Sequence, residues 1–327
     1  MENAVGTMNK GLSWSRARGS AGIWYVALGA VLWGLDPLFR ILLLESFTSS
    51  QIVFIEHVLL AFVAVPLLIK HRKAIPGKWS WGILGALLFI SWGGSAIATV
   101  LFTAAFSHGN ANAILLLQKL QPLFAIILAR VLLKEALPSR FFLFLGLALA
   151  GTYLLTFGFG SPMLGWTDLG TAACLFSILA AGLWGGSTVM GKYLLGKNLD
   201  FPVVTSLRFL LALPLLSVLL WVNHDAWQVT GSSGALAVIG INLLFQAFFP
   251  GLLSLLLYYK GLSTTKASYA TLAELAFPAV GVLVNWLVFH QPLTAGQLIG
   301  FLLIWSTLWF MTRTQGQTEP APGTAAV

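Results

Sequence analysis

Polar side chains stand at helical spacing inside stretches that are otherwise apolar, and their types suit the holding of a small solute more than bond-breaking. Trp33, Asp36, Pro37 and Arg40 fall at i, i+3, i+4 and i+7, so at about 100° per residue they share one helix face. Asp36 and Arg40 are one turn apart and can pair, while Pro37 leaves the carbonyl of Trp33 without its helical donor. Gln118, Lys119, Gln121 and Pro122 form a second polar, kinked face, and Asn242, Gln246 and Pro250 a third. Ala267, Thr271, Glu274, Pro278, Gly281 and Asn285 make one continuous stripe. Glu56, His57 and Arg208 complete the inventory.

The elements that must position these groups are membrane helices. With 58% hydrophobic and only 9% charged residues, the chain cannot cover itself with an ordinary soluble surface. A span needs about 20 apolar residues. The sequence predicts such runs at 22–44, 50–69, 80–103, 109–133, 140–157, 167–191, 201–222, 236–259, 266–289 and 294–312. They lack the alternation of a membrane barrel, so the expected fold is all-α and integral to the membrane. An ionisable group in hydrocarbon costs roughly 2.5 to 3.5 kcal/mol unless it faces a partner or water. The polar faces must therefore turn inward.

The runs repeat. Leu32-Trp33-Gly34 recurs as Leu183-Trp184-Gly185 at an offset of 151, and Glu56-His57 lies opposite Arg208-Phe209 at 152. Phe102 through Leu137 overlays Tyr258 through Leu293 at a constant 156, matching Ala111 with Ala267 and Pro122 with Pro278. Five spans is an odd number, so the second copy is expected to sit upside down relative to the first. Inverted repeats of this kind let one site near the bilayer midplane face either side. The organisation read from these offsets is an N-terminal segment 1–21, a first five-helix repeat 22–157, a second, inverted repeat 158–312, and a disordered cytoplasmic tail 313–327.

Charge reports topology. Of 18 Lys and Arg residues, Arg40, Lys119 and Arg208 lie well inside runs, and the other fifteen fall at run ends or in the segments between them, all on one side of the membrane. The opposite loops carry Glu45, Asp168 and Asp225. By the positive-inside rule both termini are cytoplasmic. The net charge of +8 is thus a topological signal, and no nucleic-acid partner is expected. The apolar run from Gly22 is too long for a secretory signal and closes on no A-x-A-like site, so it is expected to be retained. The single cysteine, Cys174, is uninformative about redox compartment.

No enzyme motif survives inspection. His57, His71, His108, His224 and His290 have no metal-ligand spacing, and the Gly93-Gly94 and Gly185-Gly186 pairs lack the context of a phosphate loop. Neither a cofactor nor a metal is expected. Each intramembrane charge admits two readings, a resting ion pair or a ligand. Lys119 has no acidic residue within a turn of its own helix, and Asp36, Glu274 or an anionic group on a substrate could offset it.

Ten spans in two fives, Leu-Trp-Gly early in each half, Arg208-Phe209, and the helix from Pro122 to Glu135-Ala-Leu-Pro138 echoed by Pro278 to Gln291-Pro-Leu-Thr294 resemble the EamA-type members of the drug/metabolite transporter superfamily. The resemblance covers 22–312 and implies ten transmembrane helices around a central cavity. It also implies a secondary transporter of the inner membrane, an exporter of amino acids or other small metabolites by alternating access. The glutamate that usually recurs after the ninth span is Gln291 here. The expected substrate-binding set is Trp33, Asp36, Gln118, Lys119, Gln121, Trp184, Asn242, Gln246 and Glu274. Glu56, Glu274, Arg208 and Arg40 are candidates for proton coupling or gating. Exchange of anionic or phosphorylated metabolites would use Lys119 and Arg208, and export of cationic drugs against protons would centre on Glu56 and Glu274. A non-transport polytopic membrane protein is a further alternative. The partners expected are a small-molecule substrate, the lipid bilayer and a coupling proton, with the chain a monomer or homodimer.

Overall fold

The computed structural model describes residues 21–75, 79–109, 111–137, 139–160, 170–224, 227, 232–287, 290 and 294–315. The N-terminal segment before residue 21 and the tail from 316, together with Asp168, Asp225 and Gln291, lie outside the described residues. Among the described residues every regular element is helical. Eight helices are long and apolar enough to cross a membrane: α1 (Ala21–Leu43), α2 (Ser49–Lys70), α3 (Trp81–Ala105), α4 (Ala113–Leu132), α6 (Thr171–Leu195), α7 (Phe201–Asn223), α8 (Ser233–Thr264) and α10 (Ala295–Thr314). Between them lie α5 (Phe141–Phe157), shorter at 17 residues, and α9, a broken helix of Ala267–Ala273, Glu274–Ala276 and Pro278–Leu287.

α8 and α6 extend furthest beyond their expected bounds. Ser232 caps α8 by accepting from the Ala235 amide at 3.3 Å, so the helix starts three residues before 236. α6 continues past 191 to Leu195, and within that extra turn the Lys192 ammonium donates to the Leu262 carbonyl at 2.9 Å.

The kinks follow the prolines, and they repeat. A proline has no N–H, so the helix before it must rearrange its spare carbonyl. In α4 the three residues Gln118–Leu120 tighten to a 3₁₀ turn before Pro122. In α9 Glu274–Ala276 do the same before Pro278, 156 residues on. In α8 the backbone widens to π-type geometry over Ala247–Leu253, around Pro250. α3 widens over Phe89–Ile97, a stretch that includes the positions 156 residues earlier, although it has no proline. The wide turn frees the Gly94 carbonyl, which accepts the Trp184 indole N–H at 2.9 Å. A backbone irregularity in one half thereby orients an aromatic side chain in the other.

Corresponding helices of the two halves pack on each other: α2 on α7, α4 on α9 and α5 on α10. The α5–α10 seam depends on two glycines. A Cβ on Gly300 would fall 2.7 Å from the Gly151 carbonyl, and one on Gly151 would fall 3.1 Å from the Gly300 carbonyl. Such close approach is the usual device where no hydrophobic effect drives helices together. Phe62, Ile127, Val131, Trp221 and Leu302 point outward, as a lipid-facing surface requires.

Candidate functional site

A central cavity opens where the kinked helices meet. Its volume is about 160 Å³, roughly ten times what one water needs. A metabolite-sized guest is the appropriate scale. Ten of the twelve residues singled out from the sequence line it: Trp33, Asp36, Arg40, Glu56, Gln118, Lys119, Gln121, Trp184, Arg208 and Glu274. Asn242 and Gln246 stand behind the wall. The Asn242 amide donates to the Phe39 carbonyl at 3.2 Å, and Gln246 donates to the Asp36 carboxylate.

Most of the charge in the cavity is already engaged. Arg40, 3% exposed, donates to both carboxylate oxygens of Asp36 at 2.7 Å and to Thr103 Oγ1 at 3.0 Å, and its Nη2 lies 3.1 Å from Glu56 Oε1. One cation thus serves two carboxylates, and the network ties α1 to α2, α3 and α8. Opposite charges held this closely in a low dielectric stabilise each other only while all are present.

Glu274 is held differently. Its carboxylate accepts the Tyr258 hydroxyl at 2.7 Å, the Thr188 hydroxyl at 3.3 Å and the Gln121 amide. Among the described residues no cation lies within ion-pair distance of it. Arg208 does not reach for the membrane surface. At 7% exposure it donates from Nε to Ser95 Oγ at 2.6 Å and from Nη1 to Tyr259 Oη at 2.9 Å, with no carboxylate partner among the described residues. Lys119 likewise makes no ion pair there, and its Nζ sits 3.7 Å from the centroid of the Phe277 ring. That cation–π contact offsets part of its desolvation.

The aromatic lining is arranged in matched pairs. Trp33 meets Tyr258 with ring centroids 5.0 Å apart, and Phe102 meets Trp184 at 5.1 Å. Trp33 and Trp184 are repeat counterparts, and so are Phe102 and Tyr258, so each pair is the other with the halves exchanged. His57 and its counterpart Phe209 face one another directly, edge to face at 5.6 Å. Reciprocal contacts of this kind are what a two-fold relation produces.

Thr188, Tyr258, Ser95 and Tyr259 were not singled out from the sequence. Hydroxyls in a membrane helix read as ordinary packing residues, and the only hint was that Thr188 stands one turn beyond Trp184. Glu135, after α4, caps the start of α9. It accepts from the amides of Ala267 and Ser268 at 2.8 and 3.1 Å and from the Ser268 hydroxyl at 2.8 Å. A carboxylate at a helix N-terminus meets both free amides and the positive end of the dipole.

The family described as "EamA-like transporter family" matches the chain twice, over residues 20–157 and 171–313. The chain is 36% identical to the "Riboflavin transporter ImpX" of Fusobacterium nucleatum over 292 residues, covering 85% of this chain and 93% of that protein. It is 24% identical to a "Riboflavin transporter" of Brucella anthropi over 282 residues, covering 84% and 91%. A solved crystal structure shares the fold with a TM-score of 0.72 at 14% identity, covering 92% of this chain and 99% of that one.

Proposed function

Because the chain belongs to the EamA-like transporter family, which both of its halves match, we propose that this membrane transporter carries a flavin, riboflavin or a close analogue, across the cytoplasmic membrane by alternating access. The observation that carries the reading is the state of the cavity's polar groups. Asp36, Glu56 and Arg40 satisfy one another, and Glu274 and Arg208 are held by neutral hydroxyls and an amide. Among what remains for a guest are two aromatic pairs and the buried, unpartnered Gln118 Oε1. Aromatic faces with a few amide and hydroxyl groups suit an uncharged planar heterocycle carrying a hydroxylated chain. The relatives named as riboflavin transporters support the same cargo.

In this reading α5 and α9 also cross the bilayer, giving ten spans in two inverted fives with both termini cytoplasmic. The repeated kinks and reciprocal aromatic pairs support that arrangement. Rocking one half against the other then opens the cavity to alternate sides. Glu274, with no cation within ion-pair distance among the described residues, is the better-placed carrier of a coupling proton. Glu56 is tied to Arg40. One chain lines the whole cavity, so a monomer is a sufficient unit. Export, the direction implied by the resemblance, is read from which gradient drives net movement. A second reading, a carboxylated solute such as an amino acid, is favoured by one observation, that among the described residues no carboxylate lies within ion-pair distance of the Lys119 ammonium.

The test is binding to purified protein, followed by quenching of flavin fluorescence and challenged with amino acids and organic acids. Saturable quenching of riboflavin fluorescence that excess amino acids and organic acids do not reverse would support the flavin. The opposite pattern would replace it with the second reading.

A further inference from the structure

One buried acceptor in the cavity has been given no work. His57 of α2 lines the cavity and is 4% exposed. Its Nδ1 lies 2.8 Å from the Val53 carbonyl, an oxygen that can only accept. In the neutral ring the proton therefore sits on Nδ1, and Nε2 is left as a bare acceptor. Nε2 is buried and has no hydrogen-bond partner. A buried polar atom without a partner is costly, and in a binding cavity the missing partner is a candidate ligand group.

The position of the ring narrows which ligand group that is. His57 packs edge to face on Phe209, its own repeat counterpart. The two remaining aromatic pairs, Trp33–Tyr258 and Phe102–Trp184, exchange with each other when the halves are exchanged. All six of these residues line one cavity, so a flat guest against the aromatic pairs has its ring beside His57, and the oxidised flavin ring itself carries one hydrogen-bond donor, the imide N–H. The sequence offers a contrast here, since the second half has Phe209 where the first has His57, so only one of two equivalent positions can accept a hydrogen bond.

We propose that His57 determines specificity for the cargo by accepting, at Nε2, the imide N–H on the pyrimidine edge of the isoalloxazine ring. The proposal rests on the flavin reading above. No covalent or proton-transfer step is involved; the bond forms on binding and breaks on release. A guest lacking that donor leaves Nε2 unpaired, and such mismatches discriminate more strongly than a missing methylene does.

The experiment titrates purified protein with two probes, riboflavin and its imide-N-methylated derivative, by fluorescence quenching. The proteins are the natural chain, His57→Phe and His57→Gln. The natural chain is expected to bind the methylated probe about tenfold more weakly than riboflavin. His57→Phe, which copies the residue at the counterpart position, should lose about tenfold for riboflavin and bind both probes alike, while His57→Gln, which restores an acceptor, should recover discrimination in part. If His57→Phe does not fold, the two probes on the natural chain read the same bond without altering the protein. Equal binding of both probes by the natural chain overturns the proposal and leaves the flavin reading standing. So does an unchanged preference in a folded His57→Phe. Absence of any flavin binding by the folded natural chain overturns both.

Discussion

Trp33 of α1 packs against Tyr258 of α8 with tilted rings 5.0 Å apart, and the counterpart residues of the other half, Trp184 of α6 and Phe102 of α3, meet edge to face at 5.1 Å. A cavity walled by two equivalent aromatic pairs should feel the loss of either in the same way. Trp33→Ala and Trp184→Ala are each expected to weaken flavin binding about tenfold, the scale of a lost aromatic contact together with its buried area. Trp33→Phe and Trp184→Phe should keep most of it. Fluorescence titration checks this, and a large effect from one tryptophan with none from the other would break the equivalence.

Arg40 is the single cation for two buried carboxylates. Arg40→Met strands Asp36 and Glu56 and is expected to destabilise the folded protein by about 3 to 5 kcal/mol. Neutralising all three, as Arg40→Met with Asp36→Asn and Glu56→Gln, should recover much of that loss. Thermal melting followed by size-exclusion of the detergent-solubilised protein reads both. A single variant as stable as the natural chain would mean that the network contributes little.

Lys119 separates the two cargo readings. With no carboxylate within ion-pair distance in the described structure, Lys119→Met should fold with near-natural stability. Binding of riboflavin should change less than threefold, because only a cation–π contact of about 0.5 to 2 kcal/mol with Phe277 is removed and not a bond to the guest. A loss of acidic or zwitterionic substrates, with riboflavin never bound, is the outcome that favours the amino-acid reading.

Glu274 accepts three neutral donors, whereas Glu56 is pinned by Arg40. Glu274→Gln is therefore expected to abolish stimulation of transport by an imposed pH gradient while leaving binding intact, and Glu56→Gln to keep the stimulation. Uptake into proteoliposomes at matched and unmatched pH decides it. Retained stimulation in Glu274→Gln would remove that residue from proton coupling.

Much of this arrangement was legible in the sequence because membrane helices obey few rules. Apolar length locates a span, and an intramembrane charge must face inward, which is why Arg40, Lys119, Arg208, Glu56 and Glu274 all line one cavity. The 156-residue offset carried Pro122 onto Pro278, and both are preceded by the same 3₁₀ turn. The π-type widening of α3 was not legible, since no proline marks it, and with it the hydrogen bond that orients Trp184 was hidden. Asn242 and Gln246 share the periodicity of a binding face yet point at α1, because periodicity tells which residues share a face and not what that face meets. The hydroxyls of Thr188 and Tyr258 gained meaning only when Glu274 was placed beside them. His57 was visible as a polar residue in a span, but its bare nitrogen depends on where the Val53 carbonyl lies.

If one chain moves a flavin through this cavity by exposing it alternately to the two sides, a gradient of unlabelled flavin must drive labelled flavin the other way. Counterflow measures that most directly. Proteoliposomes holding purified protein are loaded with unlabelled riboflavin and diluted into a trace of radiolabelled riboflavin, with no imposed ion gradient. The expected result is transient accumulation of label above its external concentration, lost in Trp33→Ala with Trp184→Ala and absent when the vesicles are loaded with amino acids instead. Label that only equilibrates, or accumulation that amino-acid loading drives as well as riboflavin does, would contradict the account.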